Sequence, residues 1–262
     1  MKHSFAILLS LILGTIPGKA QSDFQWPDQF TSAVILTYDD GLDGHLDVAV
    51  PALDAHGFLG TFYCTGKSYS LFNRMDEWRA IIESGHELGN HSLFHPCDGE
   101  RLDWVPEEYD LNTYTITQIR DELALANTLM KAVDGNDVRT YGYTCSDYLA
   151  DGDSFKGVVQ ELFLAARSDG PIPTSMEEVD PWFVPSWGVN DPTGEELIAY
   201  VKEAQEKGTI AVFMFHSVGG GYLNVTAEAH EQLLGYLDEN RDEIWTENFI
   251  TVMSHVKDQL GR

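Results

Sequence analysis

Short apolar runs separated by long amphipathic stretches recur from residue 33 onwards. The runs occupy residues 33–37, 60–64, 138–143, 162–166 and 210–215, and helical periodicity fills 46–56, 76–84, 117–133, 194–207, 227–240 and 247–259. Strands joined by helical connections of ten or more residues pair in parallel, because a tight hairpin is not available to them. The expected fold class is therefore α/β, with a mainly parallel sheet, closed or doubly wound, and both faces covered. Thr117 ahead of one periodic run and Thr226 ahead of Ala227-Glu228-Ala229 are the expected helix caps. In either architecture the loops leaving the carboxyl ends of the strands build the active site. The chemistry is thus expected just after the apolar runs.

With 262 residues, 43% of them apolar, the chain can bury a full core without a metal or disulfide staple. Acidic residues outnumber basic ones by 42 to 16, a formal charge of −26. Such a surface repels phosphate backbones and anionic lipid, so neither nucleic acid nor a membrane face is expected as a partner. The start reads Met1-Lys2-His3, then an apolar stretch over 5–13, then small residues up to Ala20. This is the pattern of a secretory signal, too short to span a bilayer, with cleavage expected after Ala20. The expectation is a secreted or periplasmic protein whose mature part, residues 21–262, is one catalytic domain and a monomer. Removing Lys2 and Lys19 would leave it at 14 − 42 = −28. Internal repeats and Pro/Ser/Gly-rich linkers are absent from the sequence. Cys64, Cys97 and Cys145 are an odd number, which excludes a disulfide scaffold and permits at most one bridge within the chain.

Three stretches carry chemistry. Asp39-Asp40-Gly41 follows the apolar run that ends in Thr37-Tyr38. Adjacent carboxylates leaving a strand point in different directions, so one can hold a cation while the other faces a substrate. His91-Ser92-Leu93-Phe94-His95-Pro96 places two imidazoles at a spacing that lets both converge on one metal, with Pro96 stopping the turn. His216 ends the most apolar run, Ile210-Ala211-Val212-Phe213-Met214-Phe215, and is followed by Ser217-Val218-Gly219-Gly220-Gly221. Taken singly these read equally as a solvated turn, an accident of helical spacing and a satisfied core histidine. Taken together, in this order, they resemble the polysaccharide deacetylase family, carbohydrate esterase family 4, with the NodB homology fold. Thr37-Tyr38-Asp39-Asp40-Gly41 is similar to the family's Thr-Phe-Asp-Asp-Gly motif, His91 to Pro96 to its His-Ser/Thr-x-x-His-Pro motif, and Met214-Phe215-His216 to its Leu-x-His motif.

The resemblance implies a distorted (β/α)7-type barrel and a divalent cation, zinc or cobalt, held by Asp40, His91 and His95. It also implies Asp39 as the general base, His216 as the general acid, and hydrolytic removal of acetyl groups, as O-acetyl esters or N-acetyl amides, from a polysaccharide or oligosaccharide. Three protein ligands leave positions open for water and substrate, as a catalytic metal requires. The family's third motif normally carries an Arg that steers the base, and here Gly142 stands in that place, with Arg139 earlier on the strand. Arg167 is the expected substitute, and Asp169 the expected partner that keeps His216 proton-donating. Trp182 or Trp187 would wall the sugar site or belong to the core. The loops 98–112 and 171–190 are where acetylxylan, chitin oligomers and acetylated cell-wall glycan would be told apart. The resemblance also places the loops carrying Cys97 and Cys145 on neighbouring strands, so either these two form a bridge or all three thiols are free. Two alternatives remain: a non-sugar amidase of the same fold, and a non-catalytic glycan-binding member.

Overall fold

The computed structural model describes residues 24–262, so the expected export signal over residues 1–20 lies outside the described part. Along the chain run β1 (Ser32–Asp39), α1 (Val50–His56), β2 (Thr61–Cys64), α2 (Tyr69–Asn73), α3 (Met75–Glu83), β3 (Glu87–Asn90), α4 (Ile116–Asp134) and β4 (Tyr141–Gly142). There follow β5 (Leu149–Ala150), β6 (Asp153–Ser154), α5 (Lys156–Leu162), β7 (Ala166–Arg167), β8 (Trp187–Gly188), α6 (Gly194–Lys207), β9 (Ile210–Phe215), α7 (Ala227–Glu239), β10 (Ile244–Thr246) and α8 (Phe249–Leu260). Eight of the strands make one sheet, ordered β7-β4-β3-β2-β1-β9-β8, with β10 beside the first half of β1. Every pairing in it is parallel. The sheet curls until its edges meet. Ser168 N–H donates to Val184 O at 2.8 Å and Gly170 N–H to Ser186 O at 3.0 Å, and the segment so attached to β7 continues into β8. The result is the expected distorted barrel.

β1 is the staple of this barrel, and all eight of its residues are buried. Its first half pairs with β10 and its second half with β2 on one edge, while β9 runs along the other. Because successive side chains face opposite sides, the strand feeds two cores. Val34, Leu36 and Tyr38 pack under α1, α6 and α7, and Ala33 and Ile35 pack with Phe249, Val252 and Val256 of α8. Tyr38 donates its hydroxyl hydrogen towards His230 Nε2 at 2.7 Å, so the only polar atom of that ring is satisfied inside the first core.

The sequence reading needs correction at element ends. Thr115, not Thr117, caps α4: its side chain accepts from Gln118 N–H while Gln118 returns a bond to Thr115 N–H, a reciprocal box that fixes the start two residues earlier. The stretch 162–166 is not one strand, because Leu162 closes the unforeseen helix α5 and only Ala166–Arg167 pairs. Only Tyr141–Gly142 of 138–143 is strand. Arg139 is buried just before β4, paired with Asp134 at 2.9 Å and donating to Leu88 O at 2.6 Å, and so belongs to the framework. Trp182 donates to Phe163 O and Trp187 packs on Tyr200 and Phe213; neither lines the cleft described below. Thr226 does cap α7.

Candidate active site

A cleft of about 1000 Å³ opens at the carboxyl ends of the strands. Asp39, Asp40, His91, His95, Asp169 and His216 all line it, and Arg167 lies directly beneath. The doublet leaves β1 in two directions, as strand geometry demands. Asp39 is buried, and its Oδ2 accepts from Arg167 Nη2 at 2.6 Å, while Oδ1 is buried with no hydrogen-bond partner. Asp40 turns into the left-handed region at φ 77°, and its N–H donates to Tyr63 O.

The two histidines converge through a loop, not a helix. Ser92 at φ 63° and His95 at φ 59° are both left-handed, a strained backbone that surrounding bonds hold in place. Asn90 Oδ1 accepts from Ser92 N–H, Ser92 Oγ accepts from His95 N–H, and buried Glu122 of α4 accepts from the N–H groups of Leu93 and Phe94. His91 Nδ1 donates to Gly142 O at 2.7 Å, so the neutral ring carries its lone pair on Nε2. That Nε2 lies 3.7 Å from Asp40 Oδ1, and His95 Nε2 lies 3.4 Å from the same oxygen. On the far side of His95, Nδ1 stands 3.4 Å from Cys97 Sγ, which forms a disulfide with Cys145. The bridge ties the loop after β3 to the loop after β4, and Cys64 remains a free, buried thiol.

Burial raises the Asp40 carboxyl, but His91, His95, His216 and the Tyr222 hydroxyl outweigh it and bring it down to about 2. Burial, reinforced by His91, pushes His95 down to about 4 against the pull of Asp40 and Asp39. At neutral pH the cluster is therefore an ionised carboxylate beside an uncharged His95 imidazole. One carboxylate oxygen and two imidazole nitrogens within 4.8 Å of one another form a donor set that suits a divalent cation. The unpartnered Asp39 Oδ1 next to it fits a water held at such an ion.

Gly142 makes room for the Arg167 guanidinium. A Cβ there would stand 2.7 Å from Arg167 Nη2, 3.0 Å from Tyr63 Cγ and 3.2 Å from His91 Nδ1. The missing side chain leaves the space that the guanidinium enters from the neighbouring strand, since Gly142 and Arg167 are register partners. Across the cleft, His216 is held by its backbone: His45 Nε2 donates to His216 O at 2.8 Å, and His45 Nδ1 accepts from Leu42 N–H. Burial lowers the His216 imidazole, opposed by Asp39 and Asp40. Asp169 sits exposed at the rim and makes no ion pair with His216 among the described residues; His216 Nδ1 is buried without a partner.

Several lining residues were not foreseen. The loop after β2 supplies Lys67 and the first residue of α2 supplies Tyr69, the 98–112 loop supplies Arg101 and Trp104, and the glycine turn after His216 supplies Tyr222. Tyr69, Trp104 and Tyr222 are 74%, 59% and 52% exposed, so aromatic faces stand open to solvent around the cluster. Trp104 lies 6.2 Å from the His95 ring. Tyr69, Trp104 and Tyr222 are isolated aromatics in segments that follow strand ends, a weak sequence signal, and Lys67 and Arg101 carry none.

Residues 28–154 match the polysaccharide deacetylase family. A peptidoglycan-N-acetylmuramic acid deacetylase of Bacillus subtilis is 29% identical over 217 residues, covering 82% of this chain and 72% of that protein. A gellan lyase of a Bacillus species is 22% identical over 246 residues, which is 84% of this chain but only 9% of the lyase. Among solved structures, a Mycobacterium smegmatis protein named as a polysaccharide deacetylase superposes with a TM-score of 0.65 at 17% identity, covering 92% of this chain and 95% of the other. The motif-bearing half of the barrel, the curled parallel sheet and the cluster at its carboxyl end agree: this chain belongs to the polysaccharide deacetylase family.

Proposed function

We propose that the protein is a secreted, metal-dependent hydrolase that removes acetyl groups from a glycan. The observation that carries this reading is the convergence of Asp40, His91 and His95 beside the buried Asp39–Arg167 pair, with His216 across the same cleft. Asp40, His91 and His95 would hold the cation, with zinc favoured by the two imidazoles and one carboxylate, and cobalt able to replace it. When bound, the cation supplies Lewis-acid polarisation of the acetyl carbonyl and eases deprotonation of the attacking water.

The residues of the chain divide the rest of the work. Asp39 Oδ1 takes the proton from the water, whose oxygen adds to the acetyl carbon. Arg167, which holds Oδ2 at 2.6 Å, keeps the other oxygen aimed into the cleft. His216 then gives its proton to the leaving nitrogen or oxygen as that atom parts from the carbon, so acetate and a free amine or alcohol result. Burial leaves the His216 imidazole lowered overall, and the two carboxylates act against it, towards the proton-bearing form. Tyr69 and Trp104 offer faces on which sugar rings stack. Asp169, at the rim, meets the substrate or solvent rather than the His216 ring.

The name of the Bacillus subtilis relative makes an N-acetylated cell-wall glycan the first substrate to try. The test is acetate release from peptidoglycan, chitooligosaccharides and acetylxylan, with zinc or cobalt supplied. Chelation should abolish release and added metal restore it. His91→Ala and His95→Ala should lower metal content and activity together, whereas Asp39→Asn should keep the metal and lose turnover. Full activity in a demetallated sample would refute the mechanism.

A further inference from the structure

The two oxygens of Asp40 have different neighbours. Oδ1 faces His91 Nε2 and His95 Nε2 at 3.7 and 3.4 Å, while Oδ2 accepts a hydrogen bond from the hydroxyl of Tyr222. Tyr222 is 182 residues away in sequence and reaches the carboxylate from the turn that follows His216. That turn is built. Gly219, Gly220 and Gly221 take φ values of 80°, 139° and 126°, which side-chain-bearing residues rarely adopt, and a Cβ on Gly221 would stand 2.3 Å from Ser217 Oγ. The turn is closed by Gly219 N–H to Val225 O and Val225 N–H to Ser217 O, both at 2.9 Å. Gly220 N–H donates to Asn224 Oδ1 at 2.7 Å, and Asp191 N–H ties Asn224 O to the neighbouring loop at 2.7 Å. The phenol ring therefore leaves a fixed base and stands 5.8 Å from the His216 ring, half exposed, with only its hydroxyl directed at Asp40.

We propose that Tyr222 is a positioning residue for the Asp40 carboxylate: by donating to Oδ2 it holds Oδ1 turned towards His91 and His95. Asp40 needs such a partner. Its backbone is left-handed, and no described backbone N–H or other neutral side-chain hydroxyl donates to its carboxylate, so without Tyr222 the group can rotate about its side-chain bonds away from the imidazoles. Partners that hydrogen-bond a metal-ligating group from outside are typically worth about 10–100-fold in metal affinity.

This inference rests on the reading of Asp40, His91 and His95 as cation ligands, and the experiment separates the two. Zinc affinity is measured on the full protein by competition with a chromophoric chelator, for the wild type, Tyr222→Phe and His95→Ala. Tyr222→Phe keeps the ring and removes only the hydroxyl, at a half-exposed site where loss of folding is not expected; far-ultraviolet circular dichroism checks this. The expected result is a zinc Kd about 10–100-fold weaker than wild type, with acetate release restored when zinc is raised to saturate the variant. A Kd within threefold of wild type overturns the role of Tyr222 while leaving the metal site intact. A wild type that binds zinc no better than His95→Ala overturns the metal reading itself.

Discussion

The Cys97–Cys145 bridge is the most direct quantity to perturb, because its effect can be calculated from chain length. The bridge closes a loop of 48 residues in sequence separation. In the chain-entropy description, cross-linking removes about 2.1 + 1.5R ln n cal/mol/K from the unfolded ensemble, which for this loop is roughly 14 cal/mol/K, or about 4 kcal/mol at 25 °C. A chain of this size shifts its Tm by roughly 2–4 °C per kcal/mol. The double variant Cys97→Ser/Cys145→Ser should therefore melt roughly 8–16 °C below the wild type, and reductant should lower the wild type towards the same temperature without moving the variant. The assay is thermal unfolding followed by circular dichroism, with and without reductant. Thiol titration of the denatured protein should find one reactive group before reduction, Cys64, and three after. The bridge also stands behind His95, whose Nδ1 is 3.4 Å from Cys97 Sγ, so zinc capture should weaken in the double variant. A Tm difference under about 2 °C, or three titratable thiols without reductant, would show that the unfolded chain is not constrained in this way.

Three further outcomes follow from the site and the core. His216→Ala should lower turnover by about two to four orders of magnitude on a glycan substrate, and by less on a nitrophenyl acetate, whose leaving group needs little protonation; equal losses on both would move His216 to a binding or structural role. Gly142→Ala should push the Arg167 guanidinium off Asp39, since the new Cβ would stand 2.7 Å from Nη2, and kcat/KM should fall about 100-fold with the fold retained; wild-type kinetics would show that Arg167 does not aim the base. His230 is buried against Tyr38 and pushed by burial down to about 4. Its folded form binds a proton less readily than the unfolded chain, so stability present above about pH 6.5 is lost as pH falls towards 4, on the order of 2 kcal/mol at pH 5. The slope of Tm between pH 7 and 5 should be shallower in His230→Gln, and an unchanged slope would assign the acid sensitivity elsewhere.

Much of this protein was legible locally. Apolar runs and amphipathic segments determine that β1, β2 and β9 are buried parallel strands and that α4, α6, α7 and α8 cover them, because burial on both faces leaves no polar alternation to read. Residue type and order likewise place Asp39, Asp40, His91, His95 and His216 at strand ends, where the chain leaves the sheet. The runs 138–143 and 162–166 pointed to β4 and β7 but not to their two-residue extents, and β8 was not legible at all, because a two-residue ladder is created by its neighbours and has no period of its own. The same holds for contacts between distant segments. That Gly142 vacates a volume which Arg167 fills, that Tyr222 reaches Asp40, and that Cys97 meets Cys145 are consequences of barrel closure, which sets strands side by side irrespective of their separation in sequence. Local propensity acts over a few residues, whereas the direction in which a side chain finds its partner is decided only when the whole sheet has curled.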